Sequence, residues 1–186
     1  MIGCRSQTSM GARLRRFRSD RGGVAAVEFS LILPVMLTIY LGGVEVGDGF
    51  AIDTRVTLVA RSVTDLATQY ITIDNQDMSN ILGASTSIVA PYGAANITVT
   101  VSEVTTDNSG NGTVTWSDSL NGTARAVGSK ITLPASLQTP NISVIFGEVS
   151  YAYTPALGYV ITGTITMSDS FYMMPRLVNS VTRVNS

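Results

Sequence analysis

The sequence predicts an α+β fold in which a long N-terminal helix, half transmembrane and half amphipathic, packs on a small, mostly antiparallel β-sheet. Three observations predict it. Val24 to Val44 form a 21-residue apolar run whose single charge is Glu28. Ile52, Val56, Val59, Val63, Leu66 and Tyr70 recur at spacings of 4, 3, 4, 3 and 4, the stripe of an amphipathic helix. From Ile71 the composition turns to Thr, Ser, Val, Asn and Gly, and alternating segments such as Ile97-Thr98-Val99-Thr100-Val101 take over, the period of a half-buried strand. The chain divides accordingly into a basic leader 1–23, a membrane helix 24–44, its amphipathic continuation 45–70 and an α+β globular domain 71–186.

The first element is read from charge and length together. Arg5, Arg13, Arg15, Arg16, Arg18 and Arg21 place six of the twelve basic residues ahead of the apolar run, against one acid, Asp20. A 21-residue helix spans roughly 30 Å, the thickness of a bilayer hydrocarbon core. The arginine cluster holds that flank in the cytoplasm and sends the C-terminal part outward. A removable secretory signal has a shorter apolar core and a small-residue cleavage site behind it; here the run is longer and is followed by Glu45, Val46, Gly47 and Asp48. Gly22-Gly23 stands in front of it instead, with Glu28 five residues beyond Gly23.

Composition narrows the chemistry. Charged residues make up 13% of the 186 positions, about half the share in typical soluble domains. The chain has no histidine, and its one cysteine is Cys4. His-based triads, His-ligated zinc and an internal disulfide framework are therefore excluded. Lys130 is the only lysine, and no spacing favours a Ser-Lys pair. The sequence reads as that of no enzyme, with no cofactor. Acidic groups slightly outnumber basic ones overall, and beyond residue 23 the count is twelve acids to six bases; nucleic acid is not an expected partner.

The segment RRFRSDRGGVAAVEFSLILPVMLTIYLGGVEVG resembles the N-terminus of TadE/TadG-like pseudopilins of the tight-adherence (Flp, type IVc) pilus system. RVTLVARSVTDL, IVAPY and FYMMPRLVNSVTR resemble that family more loosely. The resemblance implies a pilin-like plan and cleavage by a membrane-embedded prepilin peptidase between Gly23 and Val24, which makes Glu28 the fifth mature residue. It implies a minor pseudopilin, needed for pilus assembly, in the bacterial inner membrane, with its N-terminus cytoplasmic and its C-terminal domain periplasmic or carried into a surface pilus. Its implied partners are other pilin and pseudopilin subunits, the prepilin peptidase, the inner-membrane assembly platform and the lipid bilayer. Two alternatives stay open: a soluble periplasmic binding module released by an ordinary export signal, and a permanently anchored periplasmic scaffold.

Glu28 has a physical reading of its own. A charge in a membrane helix costs on the order of 2.5–3.5 kcal/mol on insertion scales, so such residues tend to be partnered and functional. The amine released at Val24 is a natural partner, within one helix or between subunits; Glu28 and the neighbouring Phe29 are the expected assembly residues. Pro34 removes one backbone hydrogen bond and is the expected kink. Gly42, Gly43 and Gly47 are expected soft points, and Arg61 with Asp65 an i, i+4 ion pair.

Beyond the helix, a short helix is expected over Asn75 to Leu82, then a turn at Ala90-Pro91-Tyr92-Gly93. Ile97 to Val101 and Val114 to Trp116 read as the arms of a hairpin. Ile142, Val144 and Phe146 alternate, as do Val149, Tyr151 and Tyr153, and Val160 to Met167 and Phe171 to Met174 supply one or two more strands. Tyr151, Tyr153 and Tyr159 form either a sheet core or an exposed patch. Asp107, Ser109, Asn111 and Asp118 stand at loop positions 1, 3, 5 and 12 of a calcium-loop pattern with glycine at 6. The strand-like flanks favour a plain hairpin turn, which needs the same Asp, Asn and Gly residues, and no metal is expected.

Overall fold

The computed structural model describes residues 21–155, 158 and 162–184. The leader through Asp20, including Cys4 and five of its arginines, lies outside them, as do Tyr159 and Val160. The chain divides between Val44 and Glu45 into two compact units. Helix α1, Arg21–Thr68, contributes its first half to one and its second half to the other.

In the first unit α1 is apolar on every face, and each side chain from Gly23 to Tyr40 is exposed. Its richest 18-residue window has a mean hydropathy of 2.1 and none of that window is buried. By length and composition this half of α1 is a candidate membrane span.

In the second unit the stripe turns inward as its spacing predicts. Ile52, Val56, Val59 and Val63 are fully buried, together with Ala60 and Ala67; fully burying a side chain of this size stabilises by about 1.5–3 kcal/mol. Leu66 and Tyr70 pack at the margin of the same core. The expected Arg61–Asp65 pair does not form among the described residues. The Asp65 carboxylate is taken instead by Arg176 and by Gln69, since the 174–181 segment passes the end of α1, where the Arg176 amide donates to the Thr68 carbonyl.

Strand β1, Thr72–Ile73, leads into helix α2, Asn75–Val89. Asp74 caps α2: its carboxylate accepts from the Asp77 amide at 2.7 Å while the Asp77 carboxylate reaches back to the Asp74 amide. The helix is two turns longer than its expected end at Leu82. Ser85 and Val89 continue the buried face begun by Met78, Ile81 and Leu82, a continuation masked in the sequence by Gly83 and a run of small polar residues. It stops before Pro91, which disfavours helical backbone in the residue ahead of it.

Five strands form an antiparallel sheet in the order β4-β3-β2-β5-β6. They are β2 Ile97–Thr106, β3 Gly112–Leu120, β4 Lys130–Ile131, β5 Ser143–Tyr153 and β6 Ile165–Met173. The two alternating runs at 142–146 and 149–153 belong to one strand seen from its two faces. Ile145, Val149, Tyr151 and Tyr153 face α1, while Val144 and Phe146 join Val104 and Leu133 in a second cluster on the far side. Phe171 lies within β6, so the two segments supply a single strand, within the one or two expected; Val160 and Ile161 fall outside the described residues. A final strand, β7 Thr182–Arg183, pairs in parallel with β1.

The helix meets the sheet at a glycine. A Cβ at Gly147 of β5 would lie 1.9 Å from Thr64 Oγ1 and 3.3 Å from the Ala60 carbonyl oxygen. Only the missing side chain lets helix and strand backbones approach this closely.

Candidate membrane-anchor and assembly site

Gly23 and Val24 sit in the first turn of α1. A Cβ at Gly23 would touch nothing within 4 Å, so this position has no packing reason to be glycine. In a helix each glycine is about 0.8–1.0 kcal/mol less favourable than alanine; the pair Gly22-Gly23 makes this first turn easy to unwind. The Gly23–Val24 peptide is thus an uncovered bond in a weak turn.

Glu28 lies one turn beyond Val24, on the same face of the helix. It is exposed and has no polar partner among the described residues. Phe29 is 62% exposed beside it, in the apolar sleeve formed with Val24, Val27, Leu31 and Ile32. One carboxylate therefore stands alone on an apolar cylinder. Pro34 lies inside α1, and the helix runs through it unbroken. The amide missing at Pro34 leaves the Ser30 carbonyl without its helical donor. Nearby, the Ser30 hydroxyl donates to the Val27 carbonyl at 2.9 Å and the Thr38 hydroxyl to the Pro34 carbonyl at 2.8 Å; both hydroxyls are absorbed within the helix, and the Ser30 carbonyl is not.

The four residues of the calcium-loop pattern do not converge. Asp107 closes a tight turn: its carboxylate accepts from the Ser109 and Asn111 amides at 2.8 and 2.9 Å and from the Asn111 side chain at 2.9 Å. These bonds, the Asn111 side chain first, hold the Asp107 carboxyl below its ordinary pKa. Asp118 lies well along β3, paired with Val101, roughly 20 Å from the turn at 3.3 Å per residue. Its carboxylate is held by Arg183 at 2.9 Å. The turn is built for backbone closure. Tyr151 and Tyr153 are core residues, 3% and 7% exposed. The Tyr153 hydroxyl donates to the Glu45 carbonyl at 3.3 Å, and burial first, then Asp48 and Glu45, pushes its pKa up.

One polar group in the core was not anticipated. Glu103 is fully buried; its Oε1 accepts from Ser143 Oγ at 2.6 Å and from the Val181 amide at 2.7 Å, while Oε2 has no partner. Trp116, its cross-strand neighbour on β3, donates from its indole to the Val181 carbonyl at 2.8 Å. The two side chains together satisfy both polar groups of Val181. The signal was present in the sequence: Ile97, Val99 and Val101 face inward, and the same period of two carries Glu103 inward with them.

The family model described as TadE-like protein matches residues 23–65. The match begins at Gly23, covers Val24, Glu28, Phe29 and Pro34, and continues into the buried stripe of α1 as far as Asp65. No curated protein and no solved structure matches the chain.

Proposed function

We propose, from a TadE-like segment that takes in both the uncovered apolar half of α1 and most of its core-packed half, that the chain is a minor pseudopilin of a tight-adherence pilus. The first half of α1 anchors it in the bacterial inner membrane with the leader in the cytoplasm and the sheet unit in the periplasm. A prepilin peptidase hydrolyses the amide between Gly23 and Val24, releasing the leader and leaving an ammonium group at Val24. Glu28, one turn away, then has a cation within reach in its own helix or in a neighbouring subunit docked at the same height. Pairing between subunits relieves the cost of a lone carboxylate in lipid, on the order of 2.5–3.5 kcal/mol, and so favours one axial register over its neighbours. Phe29 and the surrounding apolar side chains supply the helix-packing surface, and Pro34 leaves one carbonyl free where the helix adjusts on assembly.

The single observation that carries this reading is the lone Glu28 on an apolar, uncovered helix five residues past Gly23, within the TadE-like match. Mass spectrometry of the membrane-extracted protein tests it: the mature chain starts at Val24 and retains α1. Gly23→Ala leaves the fold intact, because the added methyl meets nothing, yet blocks processing. Glu28→Ala is processed but no longer co-purifies with the other pilus subunits. A mature start near residue 45 returns the reading to a released periplasmic module, and a processed Glu28→Ala chain that still assembles removes the role of Glu28.

A further inference from the structure

The sheet face turned away from α1 carries an uncommitted polar groove. Strand register places Thr98, Ser150 and Ser168 in one row across β2, β5 and β6, with Glu148 and Ser170 in the next. A groove of about 620 Å³ opens over these rows, walled on one side by Thr123, Ala124 and Arg125. That volume lies inside the roughly 300–1,000 Å³ range of small-molecule sites.

Its chemistry is specific. The Ser150, Ser168 and Ser170 hydroxyls have no partner among the described residues, whereas the hydroxyls nearer β3 are spent on one another, Thr100 with Ser119 and Ser102 with Ser117, each at 2.9 Å. Arg125 and Glu148 close a two-pronged ion pair, 2.6 Å on both arms, at the wall. Their charges cancel, and the other carboxylate at the groove, Asp169, is turned to the α1 side of the sheet, where it accepts from the Thr57 hydroxyl at 2.6 Å, so the groove holds no free cation for an anionic ligand. The pair is fixed from below: the Arg125 guanidinium lies 5.5 Å above the Phe146 ring, which stacks on Tyr172 with centroids 4.2 Å apart. Burial first, then the Glu148 carboxylate, pushes the Tyr172 pKa above its ordinary value.

We propose that this groove binds a neutral saccharide. Each serine or threonine hydroxyl both donates and accepts, and a sugar presents the same two-way groups at similar density. The Glu148 carboxylate offers acceptor positions and the Arg125 guanidinium donor positions that neutral hydroxyls can share without separating the ion pair. A lipid or an aromatic ligand finds no apolar lining beyond Val149 and Ala124, and a phosphorylated one finds a cation already neutralised.

The test uses the full chain in phospholipid nanodiscs, free of sugar-headed detergent, titrated calorimetrically with two probes. A β-1,4-linked N-acetylglucosamine trimer represents cell-wall glycan, and maltotriose represents a glucan. Saturable binding of either at up to millimolar concentration is expected, and the probe that saturates identifies the source. Ser168→Phe and, separately, Ser170→Phe fill the groove from exposed positions of β6 and weaken binding at least about tenfold, with unchanged Trp116 emission showing that the sheet is intact. Failure of both probes to saturate overturns the proposal. So does binding that survives both substitutions.

Discussion

Gly147→Ala is a severe test of how α1 and the sheet are joined. The new Cβ falls 1.9 Å from Thr64 Oγ1, 3.2 Å from Thr64 Cβ and 3.3 Å from the Ala60 carbonyl oxygen. The last two belong to fully buried residues of the helix and have little room to retreat. Thr64 can escape only by rotating its hydroxyl away from the Ala60 carbonyl, to which it donates at 2.6 Å, or by lifting the helix off the strand. Forcing an extra carbon into a packed core costs about 1–3 kcal/mol, and stranding the buried hydroxyl adds about 1–3 kcal/mol. The expected destabilisation is therefore about 2–6 kcal/mol. The chain's one tryptophan, Trp116, sits in the sheet unit, so denaturant unfolding followed by its fluorescence reports that unit alone. Thr64→Ala removes the nearest atom, and the double variant should recover at least about 1 kcal/mol as a coupling energy. A loss below about 0.5 kcal/mol for Gly147→Ala, the range of ordinary surface changes, refutes the close contact. Strict additivity with Thr64→Ala refutes the cause assigned to it.

Two further outcomes follow from the polar groups of the sheet unit. Glu103→Leu leaves the Val181 amide and the Ser143 hydroxyl without their acceptor, at about 1–3 kcal/mol for each stranded group; hydrogen exchange at Val181 should accelerate before global unfolding, and unchanged protection would show that the segment is held by packing alone. Asp107 is a carboxyl lowered by its turn from an ordinary value of 3.8, so its contribution is present above that value and is lost as pH falls through the lower folded pKa. NMR titration should place the Asp107 midpoint below 3.8 with the Asn111 amide losing protection in step, and a midpoint at or above 3.8 would sink the argument.

The helix was legible in the sequence because its signals are local and periodic. Charge asymmetry and apolar length mark its first half, and the 4-3-4-3-4 spacing from Ile52 marks the half that enters the core. Strand β2 was equally plain from Ile97 to Val101, although it runs on to Thr106. What stayed hidden depends on partners distant in the chain. Gly147 reads as an interruption of β5 until Thr64 stands above it. Asp65 has a near cation at Arg61, yet Arg176, more than a hundred residues later, takes it. Asp118 looks like the last ligand of a loop until register places it beside Val101 and within reach of Arg183. At the candidate assembly site, Gly23, Glu28 and Pro34 are all readable, since an apolar helix displays its irregularities against an apolar background. The saccharide groove was not, because its hydroxyls come from β2, β5 and β6 and only register aligns them.

The grip of Glu103 and Trp116 on Val181 also sets an order of events as the chain is made. The buried stripe of α1 is made early, but β5, which bears the glycine it rests on, and residue 181, which completes the clasp, come near the end. At roughly 5–20 residues per second of synthesis, the apolar face from Ile52 to Ala67 waits on the order of ten seconds for its sheet. Over that interval the nascent chain displays a sticky helix with nothing to cover it, which makes it a client for whatever holds unfinished chains. The window closes only when Val181 arrives to take the two side chains reserved for it.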